Sequence, residues 1–273
     1  MTRTLAVANQ KGGVAKTTTV ASLGVALADL GRRVLLVDLD PQACLTFSLG
    51  LDPDALDLSI HDVLLGRVTT SMTIRTIDEG VDLLPSTIDL AGTEITLLTV
   101  TGREFTLRNA LAEVLSAYDD VLIDCSPSLG VLTLNALTAA DEVLIPLQCE
   151  TLSHRGVGQL LQTIRDVQRL TNRDLTVLGV LPTLYDARTT HARAVLADVS
   201  TRYELDVLGP PITKSVRFAE APAVGRSIMR TARSSKGAQA YREVARSLLV
   251  DQDTSRQDTS GADSEHVPAS GGS

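Results

Sequence analysis

Val7-Ala8-Asn9-Gln10-Lys11-Gly12-Gly13-Val14-Ala15-Lys16-Thr17-Thr18-Thr19 decides the fold of this chain. The apolar run from Leu5 to Ala8 predicts a strand, the glycine pair a turn, and the Ala-, Val- and Leu-rich stretch beyond it a helix. A strand, a glycine turn and a helix in that order aim free backbone N–H groups and a positive helix end at an anion, here the phosphates of a nucleotide. In that reading Lys16 reaches the outer phosphates and the Thr17 hydroxyl sits on Mg²⁺. The strict pattern wants Gly at positions 10 and 15, where this chain has Gln10 and Ala15, and it has an extra lysine, Lys11, before the glycine pair. An alanine opening a helix fits if its φ is negative, and that backbone is the expectation at Ala15.

Working outward, Arg33 to Gln42 reads as a buried strand that ends in Asp38-Leu39-Asp40-Pro41-Gln42. Asp120 to Cys125 is a second short apolar strand, and its Asp124 fits a carboxylate that orders Mg²⁺ through water. Further strands are expected at 81–85, 142–147 and 175–183. Helices are expected up to Gly31, around 59–65, over 89–116 with a division at Gly102, and over 152–170. The rest of 50–80 reads as polar and irregular. Apolar strands alternating with helices predict an α/β, doubly wound, mostly parallel sheet covered on both faces. Carboxylates at the C-terminal ends of such strands stand where the ligand binds.

The 273 residues can bury a substantial core, and no apolar run approaches the ~20 residues that span a bilayer. The N-terminus lacks the apolar core of a signal peptide, so a cytoplasmic protein is expected. Three widely spaced cysteines, Cys44, Cys125 and Cys149, read as small buried residues. The net charge of −8 hides an asymmetry. Residues 1–150 carry 9 basic and 20 acidic side chains, 151–250 carry 15 and 8, and 251–273 carry 1 and 5, so the three parts bear −11, +7 and −4. Eight of the basic side chains lie in 212–246: Lys214, Arg217, Arg226, Arg230, Arg233, Lys236, Arg242 and Arg246. Such a stretch is either a solvated helical face or a surface that tracks phosphates. The low aromatic content, 3%, disfavours base stacking and makes duplex DNA the better polymer. A single domain over 1–250 is expected, followed by a disordered acidic polar tail, 251–273.

Lys-Gly-Gly-Val-Ala-Lys-Thr-Thr-Thr resembles the deviant Walker A loop of the ParA/MinD ATPases, and the resemblance runs from residue 2 to about 249. It implies a P-loop NTPase of that type that binds ATP and Mg²⁺ and hydrolyses ATP slowly. Nucleotide contacts fall to Lys11, Gly12, Gly13, Val14, Ala15, Lys16, Thr17 and Thr18, with Pro211 and Ile212 beside the adenine. Lys11 reaches the ATP of the partner in a homodimer that sandwiches two nucleotides. Asp40 positions the attacking water, and Asp38 joins Thr17 and Asp124 around the metal. The family usually has Asp-x-Pro-Pro after the third motif; here Ser126 replaces the first proline. Arg188, Arg217 and, less directly, Lys214 lie in segments similar to the family's DNA-facing elements. The resemblance therefore implies non-specific duplex binding by the ATP dimer, a ParB-like stimulator, and chromosome or plasmid partition on the nucleoid. The rivals are a MinD-like division-site regulator and an orphan ATPase that positions a protein cargo. MinD-like proteins end in a basic amphipathic helix, whereas this chain ends acidic and polar, so no membrane partner is expected.

Overall fold

The structure is a computed structural model that describes residues 2–150, 153–186 and 188–261. Strands β1 (Arg3–Val7), β2 (Val34–Leu39), β3 (Arg75–Ile77), β4 (Val81–Leu84), β5 (Asp120–Cys125), β6 (Glu142–Gln148) and β7 (Thr176–Thr183) form one sheet. Its order is β3-β4-β2-β5-β1-β6-β7, and every neighbouring pair is parallel except β3 with β4. β3 falls in the stretch expected to be irregular. Arg75-Thr76-Ile77 is too short to show a period, and pairing with β4 across the turn at 78–80 makes it a strand.

The helices are α1 (Lys16–Asp29), α2 (Cys44–Ser48), α3 (Ile60–Leu64), α4 (Thr70–Thr73), α5 (Leu90–Leu97), α6 (Thr106–Ala112) and α7 (Val131–Ala139). They continue with α8 (Ser153–Leu170), α9 (Thr190–Tyr203), α10 (Arg217–Ala223), α11 (Ile228–Thr231) and α12 (Lys236–Gly261). α12 runs past Asp251, from which disorder is expected, because extending a helix costs far less than nucleating one. Residues 262–273 lie outside the described residues.

Side chains alternate across the strands and feed two cores. Ala6, Leu35, Val37 and Ile123 join one core with residues of α3 and α5 to α9. Leu5, Val7, Leu36 and Leu122 join the other with residues of α1, α2, α11 and α12. Each fully buried leucine contributes roughly 1.5–3 kcal/mol, so the sheet is stabilised from both faces. α8 buries Val157, Leu160, Leu161, Ile164 and Val167 at helical spacing, and Leu170 ends the helix exposed. Cys125 and Cys149 are buried as expected, whereas Cys44 is exposed. Among the described residues no helix is long and apolar enough to cross a membrane.

The long return of the chain onto α1 is fixed by one buried tyrosine. Tyr241 of α12 is fully buried, its hydroxyl lies 2.9 Å from Thr19 Oγ1 of α1, and its ring meets Phe218 edge-on at 6.1 Å. Burial pushes its phenol well above the usual range. Tyr241→Phe keeps the packing and strips Thr19 of a partner, so a loss of about 1–2 kcal/mol is expected by urea denaturation. Tyr241→Ala should cost about 3–5 kcal/mol. Equal losses in the two variants would mean that the hydroxyl, not the ring, holds α12 to α1.

Candidate functional site

β1 is a central strand between β5 and β6, so the loop that leaves it emerges in the middle of the sheet's C-terminal edge. Three contacts pin that loop. Asn9 Oδ1 accepts the Lys11 N–H at 3.0 Å, while its Nδ2 donates to the Pro146 carbonyl at 2.7 Å. Thr183, at the end of β7, donates its hydroxyl to the Val14 carbonyl at 2.9 Å. Lys16 Nζ donates to the Lys11 carbonyl at 3.3 Å, so the loop wraps over its own lysine. Asn9 carries a local signal, an Asx turn starting three residues before the glycine pair. Thr183 is joined to the loop only through the sheet order, and no local pattern in the sequence marks it.

A Cβ placed on Gly12 or Gly13 would meet no protein atom within 4 Å, and both glycines are exposed. The space over the loop is therefore open, and α1 starts with no side-chain cap on its N–H groups. Ala15 is the correction here: its φ is 66° and its ψ 33°, a left-handed backbone and not the expected negative φ. For a residue with a Cβ that conformation costs about 1–2 kcal/mol. The three pins and the Thr19 N–H on the Ala15 carbonyl hold it there.

Behind the loop sit three buried charges. Lys16 is 7% exposed, and Asp38 and Asp124 are fully buried on adjacent strands, directly in register. Burial pushes Asp124 well above the usual carboxylate range, Asp38 adds to the rise, and Thr17 and Lys16 oppose it. Asp38 is pushed up to about 6, by burial first, with the Thr46 bonds acting against it. Burial lowers Lys16, and Asp124 works the other way. No hydrogen bond of ordinary geometry reaches either oxygen of Asp124, the Thr17 hydroxyl lying only near enough to oppose its shift, and such a state costs several kcal/mol unless a cation or water fills it. A divalent cation fits that need. Among the described residues no three His, Cys, Asp or Glu side chains cluster as a metal site, so phosphate oxygens and waters would have to complete the shell, as is usual for Mg²⁺.

Asp38 is differently used. Its Oδ2 accepts from the Thr46 N–H at 2.8 Å and the Thr46 hydroxyl at 2.7 Å, and its Oδ1 accepts from the Asp40 N–H at 3.3 Å. Thr46 Oγ1 in turn accepts the Ser86 N–H, and the Ser86 hydroxyl donates to the Asp40 carbonyl. Asp38 thereby anchors α2 and the loop carrying Asp40, with Asp124 left as the unengaged carboxylate. Asp40 is half-buried, and its Oδ1 accepts the Gln42 N–H at 2.9 Å.

Lys11 does not point at this cluster. Its Nζ donates to Glu150, just beyond β6, and both side chains are substantially exposed. Ile212, expected beside a base, is 1% exposed in the α1-side core, and its N–H and carbonyl are bonded to Pro182 and Tyr185. An apolar residue next to β7 is thereby drawn inside. Pro211 remains half-buried beside it.

A bridge joins Tyr185, three residues before Arg188, to Thr213, which precedes Lys214 and lies four residues before Arg217. Arg188, Lys214 and Arg217 are all exposed. Arg188 makes a two-pronged pair with Asp186, which holds that carboxyl down at about 2, and Arg217 pairs with Glu220. Arg230 leaves the basic set, because it is spent on Asp29 and the Glu79 carbonyl.

Residues 2–177 match a family described as an AAA domain. The sporulation initiation inhibitor protein Soj of Bacillus subtilis is 43% identical over 251 residues, which cover 92% of this chain and 99% of that protein. The chromosome partitioning protein ParA of Caulobacter vibrioides is 42% identical over 250 residues, 90% of this chain and 94% of that one. A solved structure from Mycobacterium smegmatis, described as cobyrinic acid a,c-diamide synthase with bound ATP analogue and magnesium, is 60% identical with a TM-score of 0.85. It covers 93% of this chain and 97% of its own.

Ala15→Gly removes the left-handed penalty but loosens the unfolded chain by about 0.4–1 kcal/mol. A net gain near 1 kcal/mol is expected, seen as a Tm raised by about 2–4 °C. A lower Tm would show that Ala15 does not sit at positive φ.

Proposed function

Because the chain belongs to the ParA/Soj family of partition ATPases, we propose that it binds Mg-ATP on the Lys11–Thr18 loop and dimerises around two nucleotides. We further infer that the dimer holds duplex DNA without sequence preference and hydrolyses ATP slowly to let go. One observation carries the nucleotide part: a buried lysine beside an orphaned buried carboxylate, under a loop with open space above it. Desolvated charges of that kind gain most when a polyanion and a cation arrive together.

When bound, ATP supplies the phosphoanhydride that is cleaved, and Mg²⁺ draws off charge from its outer oxygens. Lys16 and the free N–H groups at the start of α1 would face the phosphates. Thr17 and Asp124 would hold the cation, with Asp38 behind them fixing α2. Asp40, held by its own loop, would orient the water. Lys11 is available to a second subunit, since its exposed pair with Glu150 is worth at most about 1 kcal/mol. Exchanging one carboxylate for the several charges of a partner's phosphates is then favourable, and the γ-phosphate makes the difference between ATP and ADP.

The DNA part rests on Arg188, Lys214 and Arg217, exposed on the two segments that the Tyr185–Thr213 bridge joins, in the basic part of the chain. Dimerisation places two copies on one duplex, so the second contact becomes intramolecular. A ParB-like protein would be the stimulator, and the site of action the cytoplasm, on the nucleoid. The diamide synthase description of the M. smegmatis relative invites a second reading, amide formation. A glutamine-splitting centre of the thiol type needs a ready thiolate. Here burial pushes the thiols up: Cys149 to about 11, Cys125 further, and Cys44 also upward. The partition reading is preferred.

Lys16→Ala should abolish binding of both nucleotides, whereas Lys11→Ala should leave ADP binding within about twofold (~0.4 kcal/mol) and remove the ATP dimer. Equal loss of ADP affinity by calorimetry would place Lys11 in its own subunit's site.

Asp40→Ala with ATP should persist as a dimer on size exclusion and stay on random duplex at low salt, while the ADP form should not. Two arginines per protomer neutralise four phosphates per dimer, so log affinity should fall against log salt with a slope near about −3.6. Arg217→Glu should flatten that slope and leave DNA-free turnover unchanged. Equal retention with ATP and ADP would remove DNA from the function.

A further inference from the structure

The parts that grip the phosphate site and the parts that carry the basic surface meet at one backbone contact. α2 is tied to the 40–43 loop as one piece, through the Asp38–Thr46 pair of bonds and the Ser86 bridge. Beyond Leu49 the chain turns at Gly50, whose φ is 89°. Gly50 rests against Gly225, φ 63°, in the turn that follows α10. A Cβ on Gly225 would lie 2.7 Å from the Gly50 Cα, and one on Gly50 would lie 3.0 Å from the Gly225 carbonyl oxygen. Two left-handed backbones thus touch with no side chain between them, which only glycine allows.

α10 links that contact to the arginines, since it begins at Arg217 and ends two residues before Gly225. Its Phe218 is moored on the other side, edge-on to Tyr241 and close enough to Gly237 that a Cβ there would sit 2.6 Å from the ring. A small cavity lined by Thr17, Ser48, Phe218, Pro222 and Arg226 separates α10 from the start of α1. α10 is therefore held at Phe218, borders a small cavity toward α1, and through the turn that follows it meets the turn that follows α2.

We propose that the Gly50–Gly225 contact is the joint through which occupancy of the phosphate site sets the placement of α10 and of Arg217. Rearrangement of the 40–43 loop carries α2 with it, and α2 cannot move toward the turn without displacing Gly225. The consequence for DNA rests on the function proposed above; the movement itself does not.

Hydrogen–deuterium exchange tests the joint without DNA. In the wild-type protein, a non-hydrolysable ATP analogue against ADP should change exchange in α2 and α10 together, each by about threefold or more in rate. A response in α2 with none in α10, or none in either, overturns the joint. Gly225→Ala wedges the contact: α2 should still respond, α10 should not, and nucleotide affinity should stay within about twofold. Its ATP-dependent retention on random duplex should fall by about tenfold (~1.4 kcal/mol). A normal α10 response in this variant overturns the proposal. If Gly225→Ala fails to fold, Gly50→Ala tests the contact from the other side, and the wild-type comparison still decides. A wild-type α10 that responds while neither nucleotide state retains DNA supports the joint and removes the DNA reading instead.

Discussion

The burial of Lys16 beside Asp38 and Asp124 is the constraint on which the rest of the structure depends. Three ionisable groups inside a low-dielectric sheet edge are costly, because each loses its water shell. The fold holds them there anyway. β2 and β5 set Asp38 against Asp124 in register, and β1, paired with β5, delivers the loop that brings Lys16 near Asp124. The cluster is incomplete by itself: Asp38 finds partners in Thr46 and Asp40, but Asp124 finds none. An arrangement that is costly when empty and relieved by a polyanion with a cation is a recognition device built from desolvation.

Backbone strain adds to the same design. Ala15 and Ala43 both take left-handed conformations at the residue before a helix, α1 and α2. Neither helix has a side-chain cap at that end. A Ser or Asp cap in the ordinary extended conformation would satisfy those N–H groups internally, and would leave fewer to face a ligand. At α1 the strained alanine and the missing cap are one choice: the N–H groups stay open, and Asn9, Thr183 and the α1 ladder supply the restraint that keeps the loop from relaxing.

Much of this was legible in the sequence, for identifiable reasons. The strand runs were continuous because both faces of the sheet are covered, and so the parallel architecture could be read from Leu35, Val37 and Ile123 and their neighbours. Lys16 and Thr17 were legible because they follow the glycine pair where a helix opens, and Asp124 because it stands near the end of an apolar strand. What escaped was non-local or conformational. Glu150 and Thr183 act on the phosphate loop only because β6 lies next to β1 in space and β7 next to β6. Ile212 looks like a surface residue after two prolines, yet its backbone bonds to β7 and its neighbours pull it into the core. The left-handed φ of Ala15 leaves no compositional trace, since the strict pattern has glycine there and alanine suggests the opposite. β3 escaped because three residues cannot display a period.

The two cores explain why signals so distant in the chain converge. The core on the α1 side is assembled from the first helix and from residues beyond 200, with Ile212, Ile228, Met229, Ala238 and Tyr241 closing over Val20, Leu23 and Leu27. The basic segment is therefore not appended to an ATPase domain; it is the outer wall of the phosphate-binding half. Arg230 illustrates the cost of that economy. Its charge is consumed by Asp29 and the Glu79 carbonyl to hold the wall to α1 and to the β3–β4 turn, while Arg188, Lys214 and Arg217 remain outside. α10, which begins at Arg217, packs its Phe218 into the same core as α1, so the wall that carries Arg217 and the helix that opens at the phosphate loop rest on one set of buried side chains.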